Sequence, residues 1–187
     1  MNKPVELRTK RLILRQWKQD DYPLFYRINA DPQIMKFYPR TLAEDESNKM
    51  ADKLRDLISL RGWGLWAIET IEGNEFIGFV GLHEPAYDLP VTPCVEIGWR
   101  LNKKYWGYGY ATEAAEASLK YAFEELGLSE VYSFASLQNT KSCAVMQRLN
   151  MFDTGNNFEH PNMPVGHELR EHVLYKITKQ QWKQSRV

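Results

Sequence analysis

Residues 104 to 112 read Lys-Tyr-Trp-Gly-Tyr-Gly-Tyr-Ala-Thr, with two glycines one residue apart just before an alanine-rich run that begins near Ala111. Gly107 and Gly109 have no Cβ, so the backbone there can turn tightly and present consecutive N–H groups to an anion. A helix opening behind them adds the positive end of its dipole. The chemistry this arrangement serves is the gripping of a pyrophosphate, which predicts a nucleotide-bearing cofactor. A glycine after a strand is also an ordinary turn. The small residues Ala111, Ala114 and Ala115 favour the ligand, because they let the helix lie close to the sheet beneath it.

Other side chains able to do chemistry are fewer. Cys94 and Cys143 fall in a predicted strand and a predicted helix, away from metal-ligand spacing, and read as small apolar packing residues. His160, His167 and His172 crowd the C-terminal segment. An unperturbed imidazole, with a pKa of about 6.5, suits proton removal at neutral pH. Their spacing matches no strong zinc motif, so no metal is predicted. Glu96 lies on the predicted strand Cys94 to Leu101, where alternation puts it on the same side as Gly98. A charge on a half-buried sheet needs either a task or a partner, and both readings of Glu96 stay open.

The elements that must position these groups follow from pattern. Thr9 to Trp17, with Leu12-Ile13-Leu14, predicts a short strand, and Asp20-Asp21 offers an N-cap for a helix through Tyr22, Phe25 and Ile28. After Pro39 the Thr41-to-Glu44 spacing predicts a capping box and a second helix to about Leu60. Leu65 to Thr70, Phe76 to His83 and Val95 to Leu101 read as three strands in a meander, the first two joined at Glu72-Gly73-Asn74. A helix from Ala111 to Leu126 follows, then a strand over Val131 to Leu137 and a helix over Thr140 to Leu149. Two final strands are predicted near Phe152 to Glu159 and Glu168 to Ile177, with the last ten residues packing lightly. The predicted order is βααβββαβαββ, an α/β (α+β) arrangement in one domain spanning residues 1–187 with a core of about 7–178.

Lys plus Arg balance Asp plus Glu, 24 against 24, so no global field steers the chain toward nucleic acid or an anionic membrane. The first residues lack the apolar core of a signal peptide, and no apolar stretch approaches the roughly 20 residues of a membrane span, which predicts a cytoplasmic location.

The ordered set Thr9-Lys10-Arg11-Leu12-Ile13-Leu14-Arg15, Trp66-Ala67-Ile68, Ile77-Gly78, Glu96-Ile97-Gly98-Trp99, Trp106 to Glu113, Asn139 with Ser142, and Asn150-Met151-Phe152 resembles the GCN5-related N-acetyltransferases. Within them it is most similar to the Rim-type ribosomal-protein N-terminal acetyltransferases. The resemblance implies a mixed, mostly antiparallel seven-stranded sheet flanked by about four helices, with the fourth and fifth strands splayed, and acetyl-CoA as acyl donor. It assigns the donor to Trp99, Leu101, Lys104, Trp106, Gly107, Tyr108, Gly109, Tyr110, Ala111, Thr112, Asn139 and Ser142. Trp99 and Leu101 would border the pantetheine arm with their backbone. The family's phosphate-loop signature begins with Arg or Gln, and Lys104 departs from it.

For the chemistry, the resemblance implies direct attack by an amine, with Glu96 as first candidate base, acting through a water or directly, and His160 as second. Many members carry a tyrosine acid in the fourth helix, and that position is Gln147 here. Ser142 becomes the candidate acid or oxyanion donor, although Asn139 and Ser142 would equally serve as a helix cap. Met35, Phe37, Tyr38, Trp63, Trp66 and His83 are candidates to shape the acceptor pocket. Three readings remain open at this point: transfer to a protein N-terminus, transfer to a small-molecule amine such as an antibiotic, polyamine or amino acid conjugate, and a non-catalytic acyl-CoA-binding module. Family members often pair, so a homodimer is an expectation of the resemblance alone.

Overall fold

Leu12 and Leu14 are fully buried on a four-residue strand, and the sheet grows outward from them. The computed structural model describes residues 3–185. Its elements follow the order ββααβββαβαβββα. Contacts divide the chain into two compact units, the first running up to Leu82 and resuming over Gly98–Ser118, the second comprising His83–Ile97 and the chain from Leu119 onward.

In the first unit β1 (Leu7–Arg8) pairs antiparallel with β2 (Leu12–Arg15), β2 with β3 (Leu65–Thr70), and β3 with β4 (Phe76–His83). The expected single strand over Thr9 to Trp17 is therefore a small hairpin whose turn includes Thr9. Thr9 Oγ1 accepts the N–H of Leu12, which bends the chain before it can extend. The buried Leu12, Leu14, Trp66, Ile68 and Ile77 form the inner face, and Trp17, Phe25, Phe76 and Phe79 cluster with ring centroids 4.9 to 6.4 Å apart.

Helix α1 (Asp21–Asn29) starts without a side-chain cap from Asp20. Asp21 is instead drawn into the interior, where both its oxygens accept from Arg15 at 2.7 and 2.8 Å and Oδ2 also accepts the Lys18 N–H. Helix α2 (Glu44–Arg61) opens two residues later than the expected box, at Ala43. Alanine supplies no acceptor, so only the return half forms, Glu46 Oε2 accepting the Ala43 N–H at 2.9 Å. Leu54 and Ile58 face the core at helical spacing, and Gly62 ends the helix at φ 89°.

Strand β5 (Glu96–Leu101) contributes Gly98–Leu101 to the first unit and Glu96 and Ile97 to the second. It continues into a 3-10 turn at Lys103–Tyr105 and then α3 (Tyr110–Glu124). In the second unit β6 (Glu130–Ser136) runs antiparallel to β9 (Glu171–Thr178) over seven residue pairs, and β9 also pairs with β7 (Phe152–Asp153) and β8 (Phe158–Glu159). The predicted strand over Phe152 to Glu159 is thus two short ones, interrupted where Gly155 takes φ 71°.

β5 meets β6 in parallel through the single pair Glu96↔Tyr132. The carbonyl of Ile97 accepts from the Ser133 side chain at 2.9 Å rather than from a ladder N–H, so the pairing stops there. Helix α4 (Thr140–Arg148) precedes the short strands, and α5 (Lys179–Gln184) closes the chain. The tail is better anchored than its composition suggests. Thr178 caps α5 by accepting the Gln181 N–H, and Trp182 lies 5.5 Å from Phe123 at 5% exposure.

Candidate active site

In the first unit, β5 delivers the chain to the glycine-spaced loop. Asn102 Oδ1 accepts the Lys104 N–H at 3.0 Å and nucleates the 3-10 turn, after which Gly107 and Gly109 adopt φ 82° and 80°. Those left-handed values suit glycine, and they turn the backbone into the start of α3. Gly107, Tyr108 and Gly109 are exposed. A Cβ built on Gly107 would meet nothing within 4 Å. Among the described residues, the N–H groups from Gly107 to Thr112 find no protein acceptor, whereas the Glu113 N–H already donates to Gly109 O at 3.0 Å. Six unpaired donors at the positive end of a 15-residue helix, opening on free space, fit a pyrophosphate.

Glu113 stands in the first turn of α3, where its charge would oppose an anion. Arg11 cancels it: Nε and Nη2 both reach Glu113 Oε2, at 2.7 and 2.6 Å, while Oε1 accepts the Arg11 N–H at 2.9 Å and the Thr9 hydroxyl at 2.6 Å. Burial alone would raise the pKa of Glu113, but these bonds prevail and hold it below the ordinary range. The Arg11 guanidinium also lies over the Tyr110 ring at 4.5 Å, with Nη2 3.6 Å from the Cβ position of Gly109. Lys104, the cation expected from sequence, turns toward Glu75 and Tyr105 instead. The cation against the loop is Arg11.

Of the remaining loop residues, Tyr108 stacks on Tyr110 at 6.0 Å, Ala111 and Thr112 are half-buried in the opening turn of α3, and the Trp106 indole donates to Leu101 O at 2.9 Å. Leu101 therefore has its carbonyl occupied by Trp106, and its side chain is buried. Trp99 is half-buried.

In the second unit, Glu96 is half-buried and its carboxylate makes no hydrogen bond or ion pair among the described residues. Desolvation pushes its pKa up to about 8. A carboxyl poised near neutrality and unspent on structure has the properties of a general base. His160 differs from its expectation. Burial, aided by the neighbouring His172, brings its pKa down to about 4. Its Nδ1 accepts the Asn162 N–H at 3.2 Å, which leaves Nε2 to carry the proton toward Tyr87 OH, also 3.2 Å away. The lone pair a base would use is engaged, and the ring belongs to an aromatic cluster with Phe134, Phe158 and His172. His172 is buried, with Nδ1 3.0 Å from Arg170 O.

Asn139 caps α4, its Oδ1 accepting the Ser142 N–H at 3.2 Å. The Ser142 hydroxyl is half-buried and makes no hydrogen bond among the described residues, so capping has not consumed it. Gln147 is exposed, with Nε2 3.5 Å from Tyr175 OH. Burial raises Cys94 to about 11, helped by Glu96 and Glu130, and also raises Cys143, so neither is a ready thiolate. Trp66 and Met35, expected to shape an acceptor pocket, are core residues, and the Trp66 indole donates to Val5 O. Phe37, Tyr38 and Trp63 remain half-buried. No cluster able to hold a metal occurs among the described residues.

Sequence reasoning passed over Arg100. It is 8% exposed and, among the described residues, takes only Asn29 Oδ1 as a close acceptor, at 2.6 Å. A lone Arg inside the strand sequence Glu-Ile-Gly-Trp-Arg-Leu was the available signal.

Known proteins resemble this chain in sequence and in fold. Residues 11–151 match the model of the acetyltransferase (GNAT) domain family. The chain is 34% identical, over 94% of its length and 77% of the relative's, to an FsC-acetyl coenzyme A-N(2)-transacetylase of Aspergillus fumigatus. It is 33% identical to a putative ribosomal N-acetyltransferase of Bacillus subtilis, covering 94% of this chain and 86% of that one. A crystal structure of a GNAT-family acetyltransferase from Bacillus anthracis superposes with a TM-score of 0.78 at 26% identity, covering 94% and 99% of the two chains.

Proposed function

Because this chain belongs to the GNAT family of acetyltransferases, we propose that it transfers the acetyl group of acetyl-CoA directly to a primary amine, with the donor's pyrophosphate held by the N–H groups from Gly107 to Thr112. The carrying observation is that run of donors without protein acceptors. The donor supplies an acetyl group activated as a thioester. The protein's tasks are to grip the phosphates, to take a proton from the amine, and to offer a donor to the departing sulfur.

Glu96 suits the second task. Its ionised form is costly and, among the described residues, unshared, so accepting a proton relieves it. His160 suits it less, since its acceptor nitrogen is committed and its basicity is low. Ser142 suits the third task, because its N–H serves the cap while its hydroxyl stays available.

Two classes of acceptor are compatible with this chemistry. A ribosomal acceptor, for which a protein N-terminus is the expected amine, draws on likeness to the putative ribosomal N-acetyltransferase, and a different, N(2)-type acceptor draws on likeness to the FsC-acetyl coenzyme A-N(2)-transacetylase. Incubation with acetyl-CoA and a panel of amines, including peptides beginning with Ala or Ser, while following free thiol, tests the reading. Thiol release that depends on an amine supports it. Binding of acetyl-CoA without release for every amine would instead favour a non-catalytic acyl-CoA module.

A further inference from the structure

Tyr108 sits between the two glycines of the loop, and at 62% exposure it stands further into solvent than any other aromatic side chain among the described residues. It is exposed but held. Its ring stacks on Tyr110 with centroids 6.0 Å apart and planes 25° from parallel. Tyr110 also carries the Arg11 guanidinium at 4.5 Å and the Tyr105 ring at 6.2 Å, and the Tyr105 hydroxyl donates to Glu75 Oε2 at 2.8 Å. Arg11 in turn is fixed by Glu113. The result is a ladder of flat groups, Arg11, Tyr110 and Tyr108, built on the loop and ending in a ring that faces solvent.

What that ring accepts follows from its surroundings. A Cβ on Gly107 would meet nothing within 4 Å and one on Gly109 only Arg11 Nη2, so the backbone on either side of Tyr108 is uncrowded. Arg11 is centred over Tyr110, and Lys104 is engaged with Glu75 and Tyr105, so neither cation covers Tyr108. An exposed π face without a charge on it suits a flat, uncharged ring rather than a second anion. Tyr108 also gives its own N–H to the run of donors without protein acceptors from Gly107 to Thr112. Phosphate site and ring therefore share one residue. In a nucleotide a single sugar separates phosphate from base, a span comparable with a tyrosine side chain, so a base whose phosphates are held at this loop comes within reach of the Tyr108 ring.

We propose that the Tyr108 side chain binds the acyl donor by stacking on its adenine, so that the loop holds the nucleotide in two ways, with backbone N–H groups on the phosphates and a π face on the base. This deepens the acetyl-CoA reading and rests on it for the identity of the base.

The test is calorimetry on the full chain with two probes, coenzyme A and pantetheine 4′-diphosphate, which keeps the diphosphate and lacks the adenosine. Tyr108→Leu should weaken coenzyme A about tenfold and leave pantetheine 4′-diphosphate unchanged. Tyr108→Phe keeps the ring and should match the wild type with both probes. Where the shorter probe binds too weakly to titrate, the contrast between the Phe and Leu variants on coenzyme A decides alone. An equal loss with both probes in Tyr108→Leu, or a loss of coenzyme A in Tyr108→Phe as large as in Tyr108→Leu, overturns the inference. No heat with coenzyme A from the wild type overturns the acetyl-CoA reading and takes this inference with it. Wild-type binding of coenzyme A that Tyr108→Leu leaves intact overturns this inference alone.

Discussion

Arg11 Nε donates to Glu113 Oε2 at 2.7 Å, tying the turn before β2 to the first turn of α3. The pair does two things for the loop between them in space: it fixes the helix start, and it neutralises a carboxylate that would repel phosphate. Arg11→Met should therefore weaken acetyl-CoA binding about tenfold, because it removes a cation beside Gly109 and frees the Glu113 charge. Adding Glu113→Gln should restore part of the loss, a coupling that a double-mutant cycle by calorimetry would read. Unchanged affinity in the single variant would refute the role.

Glu96 makes a pH prediction in both rate and stability. Its pKa in the fold is about 8, above the ordinary value. If it is the base, kcat/KM should rise with pH to a plateau above about 8, and Glu96→Gln should slow turnover roughly 100-fold or more and remove that limb while sparing acetyl-CoA binding. Folding follows the same linkage: the native state holds this proton more tightly than the unfolded chain, so the contribution of Glu96 to stability is greatest below about 4.5 and declines as pH rises toward 8. Urea unfolding across that range should show the slope in the wild type and lose it in Glu96→Gln. Ser142→Ala, by contrast, should reduce kcat about tenfold without altering the pH profile.

The buried network of Arg15 with Asp21 and Glu69 predicts a purely structural effect. Arg15→Met leaves buried Asp21 without its ion pair and Glu69 with the exposed Lys18 as its cation, and should cost about 3–5 kcal/mol in denaturant unfolding. Burial would raise Glu69, but Arg15 and Lys18 overcome it and lower its pKa, so its contribution is complete above about 4.5 and fades as pH falls through the folded value. A loss below about 1 kcal/mol would show that the network adds little.

Much of the fold was legible because its signals are local. Leu54 and Ile58 at helical spacing, the Glu72-Gly73-Asn74 turn, and the glycine loop before alanine-rich α3 each declare themselves within a few residues. What was missed depends on partners distant in sequence. Asp21 looked like a cap because Arg15 could not be seen bridging it to Glu69. Lys104 looked like the loop's cation because nothing in the sequence says that Glu75 would claim it and that Arg11, some 90 residues earlier, would stand in its place. His160 was read at its free pKa, which only the packing of Phe134, Phe158 and His172 around it could revise.

The central claim is that bare N–H groups after Gly107 hold the pyrophosphate of acetyl-CoA. Isothermal titration of the wild type and of Gly107→Trp with acetyl-CoA tests it most directly. A Cβ at Gly107 points into open space, so the indole projects where the ligand must lie rather than into the protein. The expected result is measurable binding by the wild type and none by a variant that keeps its circular dichroism spectrum. Equal affinity in the two proteins, or no heat with the wild type, would contradict it.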